Sequence, residues 1–233
     1  MSEREAVSPT WLDLYDWRQR VTRMYRDREA SLRLGEDPLL VLRRFRATKD
    51  ALFKRHPQSP LSEDGRRRFA GLSYFPYDPA LRVDALLEPE RDDIHEELEA
   101  SGPHSMRFRR AARLRFTLGE MPADLSVYWI DVYGGGLFLP FRDATSDDET
   151  YGGGRYVFDT VKGSDFMRMD DDVDDPEIGV GHGMGYAGGR VIVDFNYSYN
   201  PSCAYDARWV CPLSPPGNRL PMPVRAGEMA FHQ

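Results

Sequence analysis

Between positions 142 and 155 the chain concentrates residues able to do chemistry: Arg142, Asp143, Glu149, Tyr151, the run Gly152-Gly153-Gly154, and Arg155. Arginine offers a planar fork that matches a carboxylate or phosphate through paired hydrogen bonds. Consecutive glycines let backbone N–H groups converge on an anion. The expectation is a pocket for an anionic ligand, contacted by Arg142, Asp143, Tyr151 and Arg155. A hairpin in which Arg142 or Arg155 pairs with Asp143 or Glu149 accounts for the same residues, and both readings stand at this point.

Further candidates follow downstream. Strand alternation from Asp194 would put Asp194, Asn196 and Ser198 on one face and Phe195, Tyr197 and Tyr199 on the other. Asn196 and Asn200 would then orient a ligand, although Asn200 before Pro201 also suits simple turn formation. Glu149, Asp194 and Glu228 are the carboxylates available for acid–base work, and His56 is the alternative base. Each has a plainer account: Glu228 as the partner of a motif arginine, and His56 as a helix-capping residue. Cys203 and Cys211 are the two cysteines. Their spacing exceeds that of a zinc knuckle, and zinc would need His56, Asp143 or Glu228 to complete its shell. Packing thiols are the favoured reading, with a disulfide or zinc less so, and no cofactor is expected.

Three apparent signals carry little. Gly183 to Gly188 matches the G-x-G-x-x-G pattern, but an acidic stretch precedes it and a β-like run follows, so the dinucleotide context is missing. Asn196-Tyr197-Ser198 is a glycosylation sequon without a secretory setting. The carboxylates Asp170, Asp171, Asp172, Asp174, Asp175 and Glu177 lack the spacing of a calcium loop.

These residues need elements to hold them. Ser8-Pro9 reads as the start of a helix with an apolar stripe Leu14, Trp17, Val21, Met24 and Tyr25. Asp37-Pro38 starts a second helix, which ends before Pro57 and Pro60. From about Arg66 the period becomes two. Met106, Phe108, Ala112, Leu114, Phe116 and Leu118 alternate, with one slip near Arg110 that suggests a bulge. Strands are predicted at 125–132, 137–141, 156–161, 191–195 and 220–224. The expected fold is mainly β within an α+β class: an antiparallel sandwich or open barrel with an N-terminal helical pair. The helical pair would occupy residues 1–56, packed on a β-rich core of 57–233 that carries an acidic, glycine-rich insertion at about 162–189.

Composition bounds the function. A 233-residue chain with 41% hydrophobic and 12% aromatic residues can build a substantial core. Its net charge of −7 argues against nucleic-acid binding. The arginines at 66–68 and the group Arg107, Arg109, Arg110, Arg113 and Arg115 read as solvated strand surface. No apolar run is long enough to span a membrane. The charged first residues predict no secretory leader, hence a cytoplasmic location.

Three ordered stretches carry a family resemblance. The first is Leu52 to Leu61 followed by Gly71 to Phe75. The second is Leu137 to Thr145 running into Glu149 to Tyr156. The third is Asp194 to Tyr205, continuing through Cys211-Pro212-Leu213, Pro216 to Leu220 and Ala226-Gly227-Glu228. Together they resemble the domain of unknown function 1684 family. Two departures are an acidic insertion longer than expected, and Gly217 where an acidic residue often precedes the Asn. The resemblance implies a fold and a candidate site, not a reaction. On these residues the leading expectation is a small-molecule enzyme, hydrolase-like, acting on an anionic substrate. The alternatives are a non-catalytic small-ligand-binding module and a structural or partner-binding protein. The sequence sets no oligomeric state.

Overall fold

The computed structural model describes residues 9–165, 167–168 and 189–232. The insertion's acidic stretch, the Gly183–Gly188 pattern and Ser8 lie outside them. The chain divides into two compact units, Met1–Gly71 and Leu72–His232.

In the first unit, α1 (Trp11–Arg33) starts two residues later than Ser8-Pro9 predicts. Thr10 is the N-cap, and it exchanges hydrogen bonds with Asp13 in a capping box. Helix α2 (Pro38–Arg55) has Asp37 as its N-cap and Pro38 as its first residue. The pair meets through Tyr25 and Phe45, whose rings are 5.0 Å apart edge to face. The unit runs on past residue 56 because a short third helix, α3 (Glu63–Arg68), returns to α2. Lys54 Nζ donates to the carbonyls of Arg67 and Phe69, and the Phe69 ring packs on Phe53. The arginines at 66–68 are therefore helical rather than on a strand.

The second unit is one antiparallel sheet curved into a half-barrel. Its strands are β1 (Arg82–Pro89), β2 (His95–Leu98), β3 (Met106–Leu118), β4 (Met121–Ile130), β5 (Leu137–Phe141), β6 (Arg155–Asp159), β7 (Met167–Arg168) and β8 (Gly189–Asp194). The order is β6-β5-β4-β3-β1-β8-β7, with β2 on β3. The expected bulge is present: the β3–β4 register shifts between Arg110 and Ala112.

That one extra residue moves the side chains beyond it to the opposite face. Phe108 joins a small cluster with Leu98, Tyr128, Phe138 and Tyr156. Ala112, Leu114, Phe116 and Leu118 join the main core with Leu87, Leu125, Val127, Leu139, Phe158, Val191 and Val193. The sheet thus buries side chains on both faces.

After β8 the chain covers the sheet without forming another strand. Phe195–Tyr197 and Ser202–Ala204 are short 3-10 turns. The expected strand at 220–224 is an irregular extended run, beside the bridge from Arg142 to Arg219. Leu220, Met222, Val224 and Ala226 insert from it into the main core. Gly227 permits this path: its φ is +74°, and a Cβ there would meet the Ser198 carbonyl at 2.4 Å.

Candidate functional site

Arg155 and Asp143 form a buried centre. Each side chain is 1% exposed, and Arg155 Nη2 stands 3.2 Å from Asp143 Oδ1. The rest of the arginine fork faces backbone: Nη1 donates to the carbonyls of Ala226 and Glu228, and Nη2 to that of Val224. Asp143 accepts from Thr145 Oγ1 and, at 2.6 Å, from the Val224 N–H. The Arg155 guanidinium also lies 5.0 Å from the Phe141 ring. Burial pushes the arginine below its usual range, and Asp143 opposes that shift. The pair acts as a clasp between β6 and residues 224–228.

The downstream polar residues make a second and a third clasp. Glu228 is buried and accepts from the Asn200 N–H at 2.9 Å and from the Tyr205 hydroxyl. Burial, reinforced by Glu228, pushes that phenol well above its ordinary range. Asn200 Nδ2 donates to the Met229 carbonyl. Asp194 meets Arg82 at 3.3 Å and accepts from the Asn196 N–H and side-chain amide. Asn196 in turn grips both backbone polar groups of Asp78. The expected alternation of faces from Asp194 onward is absent, because the 3-10 turn begins at Phe195 and Asp194 to Ser198 are all buried.

Glu149 is paired with Arg225 at 2.8 Å and also acts electrostatically on Arg155. The arginine's hydrogen bond holds the Glu149 carboxyl below its usual range. Arg142 forms no ion pair among the described residues, and its Nε is buried without a hydrogen-bond partner. It acts electrostatically on Tyr151, whose phenol burial pushes upward. The glycine run is packed from outside. A Cβ at Gly153 would meet the Tyr151 ring at 2.3 Å, and one at Gly154 would meet the Phe141 carbonyl at 2.7 Å.

His56 belongs to the helical unit, unlike every other candidate. It is the C-cap residue of α2. Its Nδ1 accepts from the Gln58 N–H and its Nε2 faces Asp16 at 2.9 Å, so the imidazole is held at both nitrogens.

Cys203 and Cys211 are both free thiols, and the chain brings them together. The Cys203 N–H donates to Cys211 Sγ at 3.4 Å, and Tyr151 Oη lies 3.5 Å from Cys203 Sγ. Among the described residues no group of three or more His, Cys, Asp or Glu could hold a metal ion. No helix among them is long and apolar enough to cross a membrane.

The feature that the sequence did not announce is an apolar cavity of about 360 Å³ against the main core. Its walls include Leu87, Leu114, Val127, Trp129, Leu137, Phe158 and Val191. Thr160 and Asp165 are its polar lining. None of the candidate polar residues borders it. The bulge in β3 helps create it: Ala111 and Ala112, beside the register shift, present only methyl groups where larger side chains would fill the space. Asn218 was also missed as a positioning residue. Its fully buried amide accepts from the Ser126 N–H and donates to the carbonyls of Ser126 and Pro140, each at 2.8 Å.

A family model described as "Protein of unknown function (DUF1684)" matches residues 67–229. The match begins at 67 rather than at Leu52. The chain is similar to an uncharacterised protein of Haloarcula marismortui whose structure was solved by NMR in solution. The two are 33% identical, over 81% of this chain and 91% of that one, with a TM-score of 0.53. No curated protein matches.

Proposed function

The chain belongs to the DUF1684 family of proteins of unknown function, and we propose that it is a binding module for an uncharged, apolar small molecule held inside the half-barrel. The observation that carries this reading is the cavity of about 360 Å³, whose walls among the described residues are apolar apart from Thr160 and Asp165. Its volume falls in the range of small-ligand pockets, about 300–1,000 Å³. Each methylene transferred there contributes about 0.8 kcal/mol.

The ligand's charge follows from the lining. Among the described residues no basic side chain borders the cavity to attract an anion. The sequence pointed instead to an anionic substrate and acid–base catalysis. That reading loses support because the motif carboxylates are engaged elsewhere: Asp143 with Arg155, Glu149 with Arg225, Asp194 with Arg82 and Asn196, and Glu228 with Asn200 and Tyr205.

Nile red, a neutral dye whose emission shifts to the blue in apolar surroundings, tests the proposal. Saturable binding of one dye per chain is expected. Ala112→Phe, which fills the cavity, should abolish it. Ala111→Trp, at a half-buried wall position, provides a second block should Ala112→Phe fail to fold. Unchanged dye binding in a folded, filled variant would refute the assignment.

A further inference from the structure

The thiol pair stands apart from the cavity, and its geometry is asymmetric. Cys203 sits in the 3-10 turn Ser202–Ala204 and is partly exposed, whereas Cys211 is 2% exposed. The eight-residue return is fixed at both ends. At Asp206 the chain turns back, with the Trp209 N–H on the Asp206 carbonyl. At Cys211 the backbone is tied to the loop after β2: its N–H donates to Ser101 Oγ at 3.0 Å, and its carbonyl accepts from the Ser101 N–H at 2.9 Å. Pro212 and Ala100 form a bridge beside it. Cys211 is thus held on the sheet, and the Cys203 turn is laid over it with N–H to Sγ at 3.4 Å. The Tyr151 hydroxyl approaches Cys203 Sγ from a different loop.

We propose that Cys203 and Cys211 are a reactive dithiol, in which Cys203 reduces hydroperoxides and Cys211 resolves the product as an intramolecular disulfide. The exposed sulfur meets the oxidant, and the buried sulfur waits within reach. In the first step the Cys203 thiolate attacks one peroxide oxygen. The S–O bond forms, the O–O bond breaks, and the departing alkoxide takes a proton to leave as an alcohol, or as water from hydrogen peroxide. In the second step Cys211 sulfur attacks Cys203 sulfur. The S–S bond forms, the S–O bond breaks, and hydroxide leaves with the Cys211 proton as water. Two thiols are oxidised by two electrons, and one peroxide is reduced. The Tyr151 hydroxyl is placed to donate to the thiolate. Hydrogen bonding from Cys211 favours ionisation of Cys203, while the same bond keeps the proton on Cys211. A small dithiol would restore the reduced pair by exchange.

The test uses the full chain and hydrogen peroxide. The expected product is a monomer lighter by two hydrogens, with one disulfide-linked Cys203–Cys211 peptide and no alkylatable thiol. Cys211→Ser should stop at a sulfenic acid on Cys203, trapped as its dimedone adduct. In Cys203→Ser the remaining thiol should be consumed at least about tenfold more slowly than Cys203 is in Cys211→Ser. Three outcomes would overturn the proposal: Cys211 reacting first, disulfides forming between chains instead of within one, or both thiols surviving excess peroxide.

Discussion

Arg155 Nη2 lies 3.2 Å from Asp143 Oδ1 with both side chains excluded from solvent. The same guanidinium holds the Val224, Ala226 and Glu228 carbonyls, so one charge pair ties β6 to the segment that seals the main core. Removing one partner strands the other charge in a dry site. Asp143→Ala is expected to lower unfolding free energy by about 3–5 kcal/mol in urea titration. A loss below about 1 kcal/mol would show that the pair is dispensable to the fold.

Asn218 makes three buried hydrogen bonds to the backbones of β4 and β5. Asn218→Ala leaves those groups unsatisfied where water has no access. The expected destabilisation is about 3 kcal/mol. Amide exchange at Ser126 should accelerate more than exchange at Leu86, which lies on β1. Equal acceleration at both would contradict a local clasp.

Gly154 has φ of +93°, and an added Cβ would stand 2.7 Å from both the Phe141 carbonyl and Ser214 Cβ. Gly154→Ala should cost at least about 2 kcal/mol from the left-handed backbone and the clash together. Gly217→Ala is the control, because nothing lies within 4 Å of its added Cβ. Equal melting temperatures for the two variants would contradict the packing role given to the glycine run.

Cys203 has a distinctive pH profile. Hydrogen bonding from Cys211, with smaller help from Ser101 and Tyr151, brings its pKa down to about 6 against the opposing effect of burial. The groups acting on the two sulfurs are Tyr151, Tyr156 and Lys162, with Arg142 acting on Tyr151. The thiolate is the reactive form, and its fraction rises as pH passes upward through the pKa. Alkylation of Cys203 by iodoacetamide should therefore climb between about pH 5 and 7 and level off beyond, whereas an ordinary thiol climbs around pH 8.5. A midpoint near 8.5 would contradict the arrangement.

How much of this the sequence disclosed follows from where its patterns are strong. The alternation in β3 revealed both the strand and its bulge, because Phe108, Ala112, Leu114, Phe116 and Leu118 are buried between more exposed neighbours. Strand β2, His95-Glu96-Glu97-Leu98, buries only Leu98 and shows no period to read. Helix α3, Glu63 to Arg68, has no apolar stripe at all and rests on the Ser62 cap. The alternation after Asp194 misled because the Asp194 side chain bonds the Asn196 N–H and turns the chain out of the strand. At the site, Arg155, Asp143 and Glu228 were legible as important. Their residue types, however, are the same whether the partner is a ligand or a backbone. The cavity left no motif, because unfilled volume, here partly beside Ala111 and Ala112, has no sequence pattern of its own.

The most direct measurement is a methyl-resolved NMR titration of the protein with octanol, an uncharged apolar probe. The account predicts saturable shifts concentrated on the Leu87, Leu114, Val127 and Val191 methyls that line the cavity. The Leu61 and Leu42 methyls of the helical unit should stay unmoved. Shifts absent from the cavity methyls, or spread evenly over both units, would contradict a ligand site inside the half-barrel.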